Sequence, residues 1–181
     1  MVRDQAMLAS GLLNPQMGGP PVMPAQPDNI WNVVSNNPER WVNATGTDRY
    51  RRAVYTFVKR TALYPSFVTF DAADRAMTSP RRISTNTPLQ ALVTLNDPVY
   101  HEAAKALAGR MIEGVKTPKA SIDDRLNYGA RLVLSRDLTP AELAPLHQLY
   151  VQAAGGSQPA NLAGYKAVGT ALLNLDAALT R

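Results

Sequence analysis

The sequence predicts a mainly α-helical fold: a small helical bundle with an extended Pro/Gly-rich N-terminal arm and irregular central loops. Three observations carry this. Capped helix starts recur through the second half, apolar residues there return every three or four positions, and prolines and glycines crowd residues 14–27.

The first residues, Met1 to Leu13, read as the end of an amphipathic helix, with Met7, Leu8, Leu12 and Leu13 apolar against Arg3, Asp4 and Gln5. A chain that starts inside a helix is expected to be a piece of a longer one. Asn14 and Pro15 should stop this helix, and Gly18-Gly19-Pro20-Pro21 with Pro24 and Pro27 cannot continue it, because each proline removes a donor and fixes φ. The result is an arm, either a free tether or a strap laid on the surface with Val22 and Met23 as anchors. The chain thus divides into residues 1–27, helix end plus arm, and residues 28–181, the helical domain.

Asp28 can cap a short helix carrying Ile30, Trp31, Val33 and Val34, and an irregular connection with Trp41 as its anchor follows from Asn36 to Gly46. Over residues 49–61, Tyr50, Val54, Phe57 and Val58 recur at helical spacing, which favours a helix; the density of β-branched and aromatic side chains also suits a strand. Pro65 should end that element, and Phe67, Val68 and Phe70 should form a short extended run.

The later elements have local start signals. Thr87-Pro88-Leu89-Gln90 and Thr139-Pro140-Ala141-Glu142 both place a hydroxyl cap, a proline at the first helical position and a side chain three residues on that reaches back. Asp97-Pro98 is a third start, so the helix from Leu89 must turn at Asn96 before a new one runs towards Ile112. Ser121 should cap a helix with Ile122, Leu126, Ala130 and Val133 inward. The helix from Pro140 should end at Gly155-Gly156, and a last one should begin near Asn161 with Leu162, Tyr165, Leu172 and Leu179.

Composition removes several chemistries. With no cysteine there is no disulfide, thiolate nucleophile or zinc ribbon, and the two histidines, His101 and His147, lie in different helices without a partner one turn away. Neither a metal site nor any cofactor site is expected in this chain. No run approaches the ~20 apolar residues of a membrane span, and no glycine-flanked serine forms a nucleophile elbow.

Charge is uneven. Between Arg40 and Arg82 there are nine basic and three acidic residues, a local balance of +6 where the whole chain carries +5. Eight of the nine are arginine, whose planar fork suits carboxylate, sulfate or phosphate. Arg51, Arg52, Arg60, Arg75, Arg81 and Arg82 are the candidates for binding an anion or for locking loops, with Asp71, Asp74 and Asp97 as candidate acidic partners. The first role would serve an acidic polysaccharide or an anionic partner domain. The second is the leading expectation, since arginines mixed with aspartates organise irregular segments. Nucleic acid is disfavoured, because a basic stripe without a binding motif is a weak signal. The aromatic residues Trp31, Trp41, Tyr55, Tyr64, Phe67 and Phe70 are read as core and arm anchors, with a sugar-stacking groove as the alternative.

Four blocks in order, Arg51-Arg52-Ala53-Val54-Tyr55-Thr56-Phe57-Val58-Lys59-Arg60, Phe70-Asp71-Ala72 with Asp74-Arg75, Thr85-Asn86-Thr87-Pro88-Leu89-Gln90-Ala91-Leu92 and Leu95-Asn96-Asp97-Pro98, resemble the planctomycete-specific C-terminal domain family called domain of unknown function 1553. Arg3-Asp4-Gln5-Ala6 and Ser10-Gly11-Leu12-Leu13 agree at the front, as does Leu172-Leu173-Asn174-Leu175-Asp176 at the end. The resemblance is to the C-terminal part of that domain. It implies a larger exported multidomain protein, a periplasmic or extracellular home, a neighbouring domain as partner, and c-type haem elsewhere in the full-length protein. It transfers no catalytic residue. The expected function is therefore a non-catalytic helical interaction domain, with an enzyme or binding component acting on anionic polysaccharide as the alternative.

Overall fold

The computed structural model describes residues 2–28, 40–59, 61–73, 77–78, 80, 85–117, 120–156, 158 and 160–180. Among these the fold is helical, with eight α-helices and no β-strand: α1 Val2–Ser10, α2 Pro65–Thr69, α3 Pro88–Asn96, α4 Pro98–Gly114, α5 Ile122–Leu134, α6 Pro140–Ala154, α7 Leu162–Leu173 and α8 Asp176–Leu179. The helix proposed after Asp28 lies outside the described residues.

Helix α4 is the centre. Ala103, Ala104, Leu107, Ala108 and Met111 are fully buried on it, and it packs against α1, α3, α5 and α7. Small side chains on α4 let α7 approach closely: a Cβ placed on Gly169 would sit 3.1 Å from the Ala104 carbonyl oxygen. The second layer is α6 on α7, where the rings of Tyr150 and Tyr165 lie 4.5 Å apart.

The capping chemistry forms where it is expected. Gln90 N–H donates to Thr87 Oγ1 while Thr87 N–H donates to Gln90 Oε1. Ser121 and Asp124 exchange the same pair of bonds, Asp97 Oδ1 accepts from Val99 N–H at 2.9 Å, and Asn161 Oδ1 accepts from the N–H groups of Ala163 and Gly164. At Thr139 the Glu142 carboxylate accepts from both the N–H and the hydroxyl. Gly155 ends α6 in the left-handed region at φ 68°.

Three expectations require correction. Helix α1 stops at Ser10, because Gly11 turns at φ 79° and the N–H groups of Leu12 and Leu13 both close onto the Met7 carbonyl, well before Asn14 and Pro15. Among the described residues of 49–61 there is no α-helix. They comprise the end of one 3-10 turn, Gly46–Tyr50, and the whole of a second, Ala53–Tyr55, with extended backbone at Arg51 and Thr56 that pairs with the arm. Pro65 begins a helix where it was expected to end one. At the first helical position its missing N–H is no loss, and Phe67 and Val68 lie within that short helix with Phe70 as its cap.

The arm is a strap. Asn14 bridges Arg51 and Val22 bridges Thr56 in parallel; Val22 N–H donates to Tyr55 O at 2.8 Å, and Phe57 N–H to Val22 O at 2.7 Å. Further on, Trp41 Nε1–H donates to Pro24 O, Tyr64 hydroxyl donates to Ala25 O, and the two rings stack at 5.7 Å. Val22 and Trp41 hold as anchors.

Candidate functional site

The arm closes around one side chain. Arg51 follows the first 3-10 turn, and its side chain is 2% exposed. Nη1 donates to Pro20 O at 3.2 Å, and Nη2 donates to the carbonyls of Gln16 and Gly18. The guanidinium carbon lies 3.9 Å from the centre of the Tyr55 ring, whose hydroxyl accepts from Gly18 N–H at 2.8 Å. Gly18 and Gly19 have φ of 74° and 91°, and a Cβ on Gly19 would come within 3.3 Å of Arg51 Nη1. The two glycines thus let the main chain bend tightly over a buried cation.

A second arginine supports the first from below. Arg3, on α1, is 4% exposed and donates from Nη1 to Arg51 O and from Nη2 to Arg49 O, both at 2.9 Å. Its neighbour Asp4 accepts from Ala53 N–H at 2.8 and 3.1 Å. The same segment is tied to α4 by Glu102, which accepts from Arg49 Nε and Nη2 through one oxygen and from the Tyr50 hydroxyl at 2.6 Å through the other. That bond pushes the Tyr50 hydroxyl up from its ordinary pKa, since the phenol proton is held by a carboxylate.

The other candidates occupy separate places. Arg52 is half-buried, and its Nη2 lies 3.1 Å from Met17 Sδ. Asp71 has φ 54°, and its Oδ2 accepts from Thr85 N–H at 2.7 Å, from the Thr85 hydroxyl at 2.8 Å and from Gln90 Nε2 at 3.2 Å. Asp97 caps α4 beside the end of α3, where burial raises its carboxyl above the usual range against the opposing pull of Val99 N–H. Arg60, Asp74, Arg75, Arg81 and Arg82 lie outside the described residues. Arg3, Asp4 and Glu102 were not singled out for a role by sequence reasoning. Arg3-Asp4 stands in one of the distinctive blocks, and that block was the available signal.

Beside this construction is a cleft of about 340 Å³ lined by Val2, Arg3, Asp4, Val54, Phe67 and Phe70 among others. His147 is part-buried and pairs through Nδ1 with Asp123 at 2.6 Å. His101 is exposed on α4.

The family model of PSD1, a protein of unknown function (DUF1553), matches residues 1–150. The chain belongs to this family. The match contains α1, the strap, both buried arginines and the helices through α6 up to Tyr150. No curated protein and no solved structure matches the chain. Among the described residues no helix is long and apolar enough to cross a membrane.

Proposed function

We propose that this DUF1553 chain is a non-catalytic helical interaction domain, the C-terminal part of a larger exported protein, in which arginines hold the protein's own irregular segments in place. The environment of Arg51 carries the reading. A guanidinium intended for a sulfate or carboxylate ligand needs an open approach, whereas this one is buried and gives both Nη atoms to main-chain carbonyls of the strap. The cleft beside α1 supplies the contact for a neighbouring domain. Its walls are mostly apolar, with Arg3, Asp4 and Ser66 as polar points, which is the make-up of an interface core.

The test is Arg51→Ala, measured by denaturant unfolding and by elution from heparin in graded salt. Removing the cation leaves three strap carbonyls without their donor, so stability should fall by about 1–3 kcal/mol, while the salt needed for elution stays unchanged. The reverse pattern, unchanged stability and earlier elution, would overturn the reading in favour of a segment that grips anionic polysaccharide.

A further inference from the structure

The strap meets the segment beneath it at a sulfur. Met17 is 69% exposed, and its Sδ lies 3.1 Å from Arg52 Nη2 and 3.9 Å from the Tyr55 hydroxyl. That hydroxyl already accepts from Gly18 N–H, so its own proton is the one turned to Met17. A thioether is a weak acceptor, so two good donors, one of them charged, end on a poor partner. Arg52 Nε is buried and has no acceptor among the described residues. Donors therefore outnumber acceptors where the strap crosses Arg52 and Tyr55, and an oxygen added at the sulfur would meet donors already in place.

We propose that Met17 is a modification site, converted by hydrogen peroxide to the sulfoxide, and that the new oxygen tightens the strap. A sulfur lone pair attacks one peroxide oxygen, an S–O bond forms and the O–O bond breaks. The proton of the transferred hydroxyl passes to the departing hydroxide, giving water, so sulfur is oxidised and the peroxide reduced. The side chain is unbranched and open to solvent, so attack comes from the exposed side and rotation then carries the oxygen to the guanidinium. The bond it accepts there is charge-assisted, where the one to sulfur was weak. Sulfoxide formation disrupts a methionine that fills a core; Met17 has no such packing to lose. Access separates it from Met7 and Met111, at 1% and 0% exposed, and position separates it from the exposed Met77, which is not part of the strap.

The experiment treats the whole chain with dilute hydrogen peroxide and follows oxygen uptake at each methionine by peptide mass spectrometry. The strap is read by hydrogen exchange at the N–H groups of Val22 and Phe57, which bond across it. Met17 should gain one oxygen before Met7 and Met111 do, and exchange at Val22 and Phe57 should slow by about three- to tenfold, the effect of one added hydrogen bond. The Met17→Leu variant, which keeps Met23 and Met77, should show no slowing, and Arg52→Leu should be oxidised at Met17 without slowing. Met17→Gln, with an amide oxygen in the sulfoxide's place, should exchange slowly before any peroxide is added. Methionine sulfoxide reductases should restore the original rate of the oxidised parent. Oxidation of Met17 that leaves exchange unchanged or speeds it, equal slowing in Met17→Leu, or Met17 reacting no faster than Met111 would each overturn the proposal. Arg51 is unaltered in every variant, so these outcomes are separate from that of the Arg51→Ala test.

Discussion

Arg3 and Arg51 form a relay at the level of single side chains: Arg3 holds the carbonyl of Arg51, and Arg51 holds three carbonyls of the strap. Neither burial was visible from hydropathy, which placed Arg3 on a polar face and Leu8 on an apolar one. In the structure Arg3 is buried and Leu8 is 65% exposed. The reason is non-local, since the carbonyls that draw Arg3 inward lie more than forty residues away. Two carboxyls show opposite pH behaviour. Bonds from Arg136 and from the N–H and hydroxyl of Thr139 pull Glu142 down to about 2, so its stabilising effect is present above the ordinary glutamate range and disappears as pH falls towards 2. Burial raises Asp97, so its effect on stability is most favourable at low pH and is lost as pH rises through its folded value. Denaturation across pH should therefore show Glu142→Gln less stable than the parent at pH 7, with the gap narrowing in acid. Asp97→Asn, which keeps a capping oxygen, should gain on the parent as pH rises.

At the level of elements, what was legible was what is local. The caps at Thr87, Asp97, Thr139, Ser121 and Asn161 are set by residues within three positions of one another, and all five starts were read correctly. The reading of residues 49–61 as a helix failed because the described backbone there bonds to the strap, and no periodicity within it records a partner more than thirty residues earlier. The orientation of α3 was equally hidden: its leucines look like any core-facing pattern, yet Leu89, Leu92 and Leu95 point outward while Thr69, Asp71 and Asn174 claim Gln90 and Thr94 on the other side. Glycines in the bundle give a paired prediction. Gly109 on α4 has nothing within 4 Å of an added Cβ, so Gly109→Ala should raise stability by up to about 1 kcal/mol through helix propensity alone. Gly169 on α7 faces main chain that cannot yield cheaply, so Gly169→Ala should lower it by about 1–3 kcal/mol. Thermal melts of the two variants should move in opposite directions.

Across the whole molecule, the core is one cluster that runs from Ala6 and Met7 on α1 to Ala178 on α8, with α4 between them. The mainly helical architecture and the family were readable from capped starts and from four distinctive blocks. The strap's resting place and the two buried arginines were not, because they depend on contacts between distant parts of the chain. Of the arginines singled out, only Arg51 and Arg52 fall within the described residues, and they differ: one is enclosed, the other reaches a methionine sulfur.

The dependence of α1 on α4 has a consequence for synthesis. Helix α1 leaves the ribosome before α4, yet Ala6 and Met7 pack into a core built around residues 98–114, and Arg110 of that later helix donates to the Ala9 carbonyl at 2.6 Å. Nascent chains stalled before Gly114 should accordingly be cut by protease within residues 2–28 and 40–57, and resistance there should appear in one step once α4 has emerged from the exit tunnel.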